Sequence, residues 1–316
     1  MNEKGVSVNL ILSQQYFSID NILFFLFIQH AYQSIKGNFH LSRRIRMVSC
    51  LTEARFHFSF LYERMRHRKI LWVVKNQRQL NKEILDGVHS LLSKKEFIND
   101  NDICLLEEAY GTLSPSEIYL AERYGVPSHH ILSAENVINV RHFDVACLQN
   151  VRARYEQHGR KGAIVFRDFA LDTRWMAFFN GRVVNAHFAM LPYASGQYTI
   201  EQIATMGDNR KLEQAAGATL HYLDGASGPP SLIAQEALLN LWNLPSIWAV
   251  KGESYLISFR LLDDYLNTEA AFSRRDVIQR DIANGYGISG RLTLSEDEKR
   301  LAQKNFVRMK KDFIYE

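Results

Sequence analysis

The stretch RVVNAHFAMLPYASG, residues 182–196, decides the fold because it has the pattern of a short apolar strand that ends in a turn. Side chains alternate between the two faces of a strand, so Asn185 and His187 point to the same side. The proline of LP has no N–H to donate and cannot continue a central strand, and SG adds a second turn signal. The two polar side chains therefore lie where a strand passes into a loop, the usual place of a ligand crevice in open α/β sheets. The alternative is that Asn185 caps the loop and His187 is a satisfied core histidine.

Two strands with a helix between them are predicted before this stretch. Residues 69–74 (KILWVV) form a compact apolar run, typical of a strand buried on both faces of a parallel sheet. Apolar residues then recur at helical spacing over residues 80–92, and residues 102–106 (DICLL) are the next strand candidate. The pattern predicts a strand, helix and strand in sequence.

The clearest helix signal is SPSEIYLAERYG, residues 114–125. Ser114 is a suitable N-cap, and Glu117 follows three residues later, which is the spacing of a capping box. Pro115 suits the first helical position and Gly125 suits the position just past the end. A short apolar strand edge is expected directly afterwards, over residues 126–131.

Strands continue to alternate with helices along the rest of the middle of the chain, with strands predicted at residues 162–166, 182–184 and 218–223. Such alternation predicts an α/β fold with a mostly parallel sheet and helices on both faces. The chain then divides into a helical N-terminal extension over residues 1–68, an α/β domain over 69–240 and a helical C-terminal extension over 241–316. The last part includes a helix over residues 249–266 and a charged helix that begins with the capping box SEDE, residues 295–298.

Composition sets limits on the function. The 316 residues are 47% hydrophobic and 23% charged, which is ordinary for a globular protein with a sizeable core. The formal net charge of +4 is too small to demand a nucleic-acid partner. The three cysteines form no CxxC pair or metal-ligand spacing, so we expect no metal site and a reducing, cytoplasmic location. The apolar run at residues 22–28 is far shorter than the roughly 20 residues that cross a bilayer, so we expect a buried helix and no membrane span.

Three segments, in order along the chain, resemble the folate-dependent formyltransferase superfamily. They are AERYGVPSHHI, VVNAHFAMLPYASG and GATLHYLDGASGPPSLIAQ, at residues 121–131, 183–196 and 217–235. The superfamily includes glycinamide ribonucleotide formyltransferase, methionyl-tRNA formyltransferase and formyltetrahydrofolate deformylase, and the first segment is most similar to the deformylase branch. The family pattern is an asparagine, a histidine two residues on, then Leu-Pro and a glycine-bearing loop. The resemblance covers residues 69–240 and implies a Rossmann-like sheet.

The resemblance implies transfer of a formyl group from N10-formyltetrahydrofolate to an amino group of a small metabolite. Asn185 would then stabilise, by about 3 kcal/mol, the oxyanion that forms when the amine attacks the formyl carbon. His187 would donate to the same oxygen or relay a proton from the amine. The folate cofactor would be contacted by Leu191, Pro192, Gly196 and Tyr222.

One group of the family pattern is missing, an aspartate in the turn after the last strand. The two alignments of this turn place Ala226 or Gly228 at its position, and neither carries a carboxylate. Asp224 is the nearest carboxylate and is taken as the third catalytic candidate, with turn capping as its alternative. Asp168 and Asp172, which follow another strand, are further candidates.

Three functions remain open from the sequence. The first is formyl transfer to a small amine, the second is hydrolysis of formyltetrahydrofolate, and the third is non-catalytic binding by a degenerate family member. The aromatic residues of the N-terminal extension, Phe56 and Phe58 among them, could form a homodimer interface, but packing on the α/β domain is the safer expectation.

Overall fold

The described residues form a sheet of seven strands, of which five are mutually parallel. The computed structural model describes residues 47–95, 97–133, 136–155, 161–166, 171–223, 231–273, 277, 288–289 and 293–315. The strands of this sheet are β1 (Met47–Glu53), β2 (Ile70–Lys75), β3 (Val137–Val140), β4 (Lys161–Val165), β5 (Val183–His187), β7 (Gly217–Tyr222) and β8 (Leu232–Ala237). Their order is β3-β2-β1-β4-β5-β7-β8, and the first five are parallel, whereas β7 and β8 are antiparallel to their neighbours. Two short strands, β6 (Ala194–Ser195) and β9 (Ile288–Ser289), pair separately.

Ten α-helices are found in the same part of the chain. They are α1 (His57–Met65), α2 (Lys82–Leu91), α3 (Asp100–Tyr110), α4 (Pro115–Tyr124), α5 (Val145–Tyr155), α6 (Thr173–Phe178), α7 (Thr199–Met206), α8 (Asn209–Ala215), α9 (Ile247–Asn267) and α10 (Glu296–Tyr315). None of the helices in the described ranges is long and apolar enough to span a membrane.

Helices cover both faces of the sheet, as the sequence predicts. Successive side chains of β5 point in opposite directions, so Val184 belongs to one hydrophobic layer and Val183 to the other. The first layer includes Phe58 of α1 and Phe259 of α9, and the second includes Trp175 of α6. The predicted α/β class with a mostly parallel sheet is confirmed.

The strand order places a topological switch point at the centre of the sheet. From β1 the chain adds β2 and β3 on one side, and then returns to add β4 and β5 on the other. In doubly wound sheets, a switch point of this kind is where a crevice opens at the carboxyl ends of the strands. Residues that follow β1, β4 and β5 are the ones positioned to line it.

Two capping predictions are confirmed at the level of individual hydrogen bonds. The Ser114 hydroxyl accepts from the Glu117 backbone N–H, and the Glu117 carboxylate accepts from the Ser114 backbone N–H, which begins α4. Ser295 and Glu298 make the same reciprocal bonds at the start of α10. Each box satisfies backbone donors that a helix N-terminus would otherwise leave unpaired.

The strand predicted at residues 102–106 is wrong, because this segment belongs to α3. Asn99 and Asp102 form a capping box that starts the helix at Asp100. Asp102, Leu106 and Ala109 are buried at helical spacing. A five-residue apolar run does not distinguish a strand from a helix, and here the cap decides.

The strand edge predicted at residues 126–131 is also wrong. Val126 donates its N–H to the Lys94 carbonyl, but Pro127 has no N–H and the chain enters a 3₁₀ turn at Ile131–Ser133. The sequence patterns also predict no strand at β3 or at β8, both of which belong to the sheet.

The helical N-terminal extension predicted over residues 1–68 is wrong for residues 47–53, which form β1 at the centre of the sheet. Phe56 and Phe58 pack in the core, which agrees with the expectation that the extension packs on the domain. The apolar run at 22–28 lies outside the described residues. Residues 44–316 form one compact unit.

Two glycines that end helices offer a matched test of backbone packing. Gly125 (φ +77°) and Gly111 (φ +86°) both adopt a conformation that favours glycine, after α4 and α3 respectively. A Cβ at position 125 would stand 2.2 Å from the Lys94 carbonyl oxygen, whereas at position 111 it would meet only the Arg78 side chain.

We therefore expect Gly125→Ala to lower the free energy of unfolding by more than Gly111→Ala, with about 1–3 kcal/mol of each loss due to the positive φ. Urea denaturation of both variants measures the difference. Equal losses would contradict a backbone clash at position 125.

Candidate functional site

The structure brings Asn185 and His187 to one face at the carboxyl end of β5. Asn185 pairs in register with Val165 of β4 on one side and His221 of β7 on the other. Asn185 is buried, with 2% of its surface exposed, and His187 is half-buried. The two residues lie two positions apart on β5, which places their side chains on the same face of the sheet.

The amide of Asn185 is oriented by a histidine on the next strand. Its Nδ2 donates to His221 Nε2 at 2.9 Å, and His221 Nδ1 donates to the Tyr222 carbonyl at 2.9 Å. This arrangement fixes the tautomer of His221, so Nε2 is the acceptor. The second N–H of the Asn185 amide is not used in this bond.

The oxygen of the same amide is a buried acceptor without a hydrogen-bond partner among the described residues. Leaving such a group unpaired costs about 1–3 kcal/mol, and native structures contain few examples. Asn185 thus presents one N–H and one C=O that a bound molecule could pair.

His187 is held by the loop that follows β5. Its Nε2 donates to the carbonyl of Ala194 at 3.0 Å. This bond fixes the ring relative to the loop and assigns a hydrogen to Nε2.

Two side chains from β7 and β8 hold the backbone of Leu191. Thr219 Oγ1 accepts from the Leu191 N–H at 3.0 Å and donates to the Ala189 carbonyl at 2.9 Å. Gln235 Nε2 donates to the Leu191 carbonyl and to Thr219 Oγ1. Both backbone polar groups of Leu191 are therefore bonded, and the loop is tied to the antiparallel part of the sheet.

The far end of this loop is held by a buried ion pair. Lys251 Nζ bonds to the Glu201 carboxylate and to the Gln197 carbonyl, and lies 4.4 Å from the centre of the Tyr198 ring. The Thr199 hydroxyl donates to the Gly196 carbonyl at 3.0 Å. The segment between Leu191 and Thr199 is thus held at both ends.

The four residues predicted to contact a cofactor differ in their exposure to solvent. Leu191 is buried, Pro192 is half-buried and Gly196 is exposed with φ +97°. Tyr222 is fully buried in the opposite layer of the sheet, where its hydroxyl bonds to Tyr265. The structure therefore groups the first three along the loop and leaves Tyr222 without exposed surface.

Of the three carboxylate candidates, Asp172 is the one in the described part of the chain. Asp224 and Asp168 lie outside the described residues. Asp172 caps α6, where it accepts from the N–H groups of Arg174 and Trp175. The described ranges contain no group of three His, Cys, Asp or Glu side chains placed to hold a metal ion.

A buried histidine and glutamate near the end of β1 were missed by sequence reasoning. His57 Nδ1 donates to Glu117 Oε1 at 2.9 Å, and Arg55 lies 3.7 Å from the other carboxylate oxygen. The sequence marks Glu117 only as a capping residue, because a contact over 60 positions leaves no local pattern. Burial alone would raise the pKa of Glu117, but the hydrogen bond and charge of His57, the charge of Arg55 and the Ser114 N–H lower it to about 2.

A separate cleft of about 380 Å³ lies at the edge strand β3 and α5, where Ile138, Asn150 and Arg154 line it. It is four strands away from β5 in the sheet order. Its position excludes it as part of the Asn185 site.

No family model matches this chain, and no curated protein matches its sequence. Its structure is similar to that of an N-formyltransferase from Helicobacter canadensis, solved with folinic acid and dTDP-3-aminofucose, at 11% identity and a TM-score of 0.43 over 84% of this chain and 81% of that one. It is also similar to the formyltransferase PseJ from Anoxybacillus kamchatkensis, solved with a UDP-linked formamido sugar and tetrahydrofolate, at 12% identity and a TM-score of 0.41 over 82% and 99%. A formyltetrahydrofolate deformylase from Pseudomonas syringae matches at 14% identity and a TM-score of 0.43 over 76% and 65%. At these identities, the roles of individual residues depend on the chain's own geometry.

The ion pair behind the loop gives a stability prediction. Lys251→Met leaves the Glu201 carboxylate buried without its partner, so we expect a loss of about 3–5 kcal/mol in the free energy of unfolding. The double variant Lys251→Met/Glu201→Met removes both charges and should recover most of that loss. Urea denaturation checks both, and a double variant no more stable than Lys251→Met would contradict this account.

The low pKa of Glu117 gives a pH prediction. A carboxyl group whose pKa is lower in the folded state contributes stability above its unfolded pKa, and this contribution is lost as the pH falls through the folded value. The stability advantage of the wild type over Glu117→Gln should thus be constant above about pH 4.5 and shrink towards pH 2. Thermal denaturation of both proteins across this range measures the difference, and an advantage that does not depend on pH would contradict an ionised Glu117.

Proposed function

We propose that this chain transfers a formyl group from N10-formyltetrahydrofolate to an amino group of a small molecule. The observation that carries the proposal is the pair of Asn185 and His187 on one face at the carboxyl end of β5, next to a loop held in place by Thr219 and Gln235. The order of motifs in the sequence, with Leu191-Pro192 and Gly196 following the pair, supports the same chemistry.

The residues fit a formyl donor in two respects. The unused N–H of Asn185 can donate to the formyl oxygen, where negative charge grows as the amine attacks, and such a donor contributes about 3 kcal/mol. The unpaired Asn185 oxygen can accept from an N–H of the donor or of the attacking amine. The folate derivative itself supplies the activated formyl group.

The loop after β5 offers the surface for the donor. Pro192 is half-buried and Gly196 is exposed, so both can contact a bound molecule, while the Leu191 backbone is used internally. We keep Leu191, Pro192 and Gly196 as the proposed cofactor contacts. Tyr222, which has no exposed surface and lies in the opposite layer of the sheet, is the remaining proposed cofactor residue and would act without touching the donor.

A second candidate is non-catalytic binding of a folate or metabolite. It is favoured by Ala226 and Gly228, which stand where the family pattern has its aspartate. Asp224 remains the proposed replacement for that carboxylate. Hydrolysis of the formyl donor, with water as the acceptor, is the remaining alternative.

The protein is proposed to act in the cytoplasm. Cys50, Cys104 and Cys147 are all free, and free thiols are usual in a reducing compartment.

The proposal is tested by following N10-formyltetrahydrofolate consumption by absorbance, with and without a panel of small amines. Consumption that depends on an amine supports transfer, and consumption in water alone supports hydrolysis. Binding of the folate without consumption would support the non-catalytic candidate.

We expect Asn185→Ala to lower kcat by about 10²–10³-fold, because it removes the donor to the formyl oxygen. His187→Ala should also remove most of the activity, and circular dichroism should show both variants folded. Asn139→Ala, on the exposed side of the edge strand β3, is the matched control and should leave kcat unchanged. An unaltered rate in Asn185→Ala would locate the site elsewhere.

A further inference from the structure

A buried pair of an imidazole and a carboxylate lies at the carboxyl end of β1, outside the chemistry proposed above. His57 is the first residue of α1, and Glu117 belongs to the first turn of α4. Their side chains are 6% and 1% exposed, and His57 Nδ1 lies 2.9 Å from Glu117 Oε1. Buried ionisable pairs in a crevice are often functional, although ion pairs with a purely structural role also occur.

The bond to Glu117 determines which nitrogen of His57 can act on another molecule. An ionised carboxylate only accepts, so Nδ1 donates to it, and in the neutral imidazole Nε2 is left to accept a hydrogen bond. Nε2 is buried and has no hydrogen-bond partner among the described residues. The same geometry, a carboxylate that orients an imidazole so that its far nitrogen faces a reactant, recurs in hydrolytic sites.

Aromatic rings surround His57 and indicate how a molecule could reach it. Tyr255 stacks on the imidazole, with ring centres 4.3 Å apart and planes 12° apart. Phe58 lies at 4.2 Å and Phe188 at 6.0 Å. Phe58 and Tyr255 are buried and Phe188 is half-buried, so Phe188 is the most exposed of the three rings around His57.

Phe188 is the sequence neighbour of His187, but its ring lies in the opposite layer of the sheet, with Phe58 and Tyr255. Its ring also stacks on Phe166, which follows β4. His57 and Asn185 lie near the ends of β1 and β5, which are two strands apart in the sheet, or roughly 10 Å. The rings around His57 belong to the first layer, whereas Asn185 lies on the other face of the sheet with Val183. A molecule that contacts both would therefore lie across the carboxyl edge of the sheet, at the switch point between β1 and β4.

We propose that His57, oriented by Glu117, is a ligand-binding residue of an acceptor subsite at the carboxyl ends of β1 and β4. Its Nε2 accepts a hydrogen bond from an N–H or O–H group of the acceptor, a compact amine. The aromatic rings of Tyr255 and Phe188 pack against the apolar faces of that molecule. The identity of the ligand as the formyl acceptor rests on the proposed function.

The competing explanation is that the pair only ties α1 to α4. Nε2 would then be permanently enclosed, and removing Phe188 would not bring it into contact with solvent reagents. His129 gives a matched control, because its Nδ1 bonds to Glu63 at 2.8 Å in the same way but on the surface, with 45% of its side chain exposed.

The first experiment measures access to Nε2 and needs no substrate. Diethyl pyrocarbonate acylates unprotonated imidazole nitrogens, and peptide mass spectrometry gives the rate at each histidine. We expect His57 to react at least about tenfold faster in Phe188→Ala than in the wild type, while His129 reacts at the same rate in both. If His57 is no faster in a folded Phe188→Ala or Phe188→Leu variant, the subsite is overturned.

The second experiment uses the amine that supports donor consumption. His57→Gln should raise the KM for that amine at least about tenfold and change the KM for the formyl donor little, while His129→Gln changes neither. An unchanged amine KM in folded His57→Gln would overturn the subsite and leave the proposed function intact. If the wild type consumes no donor, the proposed function fails, and the reaction of His57 with diethyl pyrocarbonate still decides whether the pocket exists.

Discussion

The carboxylate of Glu117 is the interaction on which the centre of the structure depends. It caps its own helix through Ser114 and also accepts from the side chain and the backbone N–H of His57, at the start of α1. Two helix N-termini thus share one negative charge, which their dipoles favour. Because α1 follows β1, the central strand, this bond sets the direction in which the chain leaves the sheet at the switch point. Burial of the charge is tolerated because each of its oxygens has donors.

The antiparallel end of the sheet has a different role, which is to hold a loop in place. β7 contributes Thr219 and β8 contributes Gln235. These side chains bond to the backbone of Leu191 and also to each other. Lys251 of α9 holds the other end of the same loop. The loop that carries the proposed cofactor contacts is therefore positioned by three elements that follow it in the chain, and its geometry depends on the complete α/β unit.

The sequence predicts those features that depend on neighbours along the chain. The helix from Pro115 to Tyr124 and the shared face of Asn185 and His187 were predicted because capping boxes and strand alternation are local patterns. Residues 102–106 were assigned to a strand because a short apolar run is ambiguous, and the cap at Asn99 decides it. The bonds from His221 to Asn185 and from Glu117 to His57 join residues 36 and 60 positions apart, so only the fold reveals them.

The unpaired oxygen of Asn185 has a counterpart in Gln235, whose Oε1 is also buried without a partner in the described part of the chain. Both side chains lie on the same face, because His187 pairs with Thr219 and Thr219 with Gln235 across neighbouring strands. A face with two buried unsatisfied acceptors would select a bound molecule mainly by rejection. A molecule that supplies N–H groups to both oxygens relieves their desolvation, whereas an analogue that offers only ether or carbonyl oxygens leaves them unpaired. In sites built to hydrogen-bond their substrate, such a mismatch lowers kcat/KM for the analogue by about 10⁴–10⁵-fold. The selectivity of this face would then come less from attraction for the right molecule than from the desolvation cost that a wrong molecule leaves unrelieved.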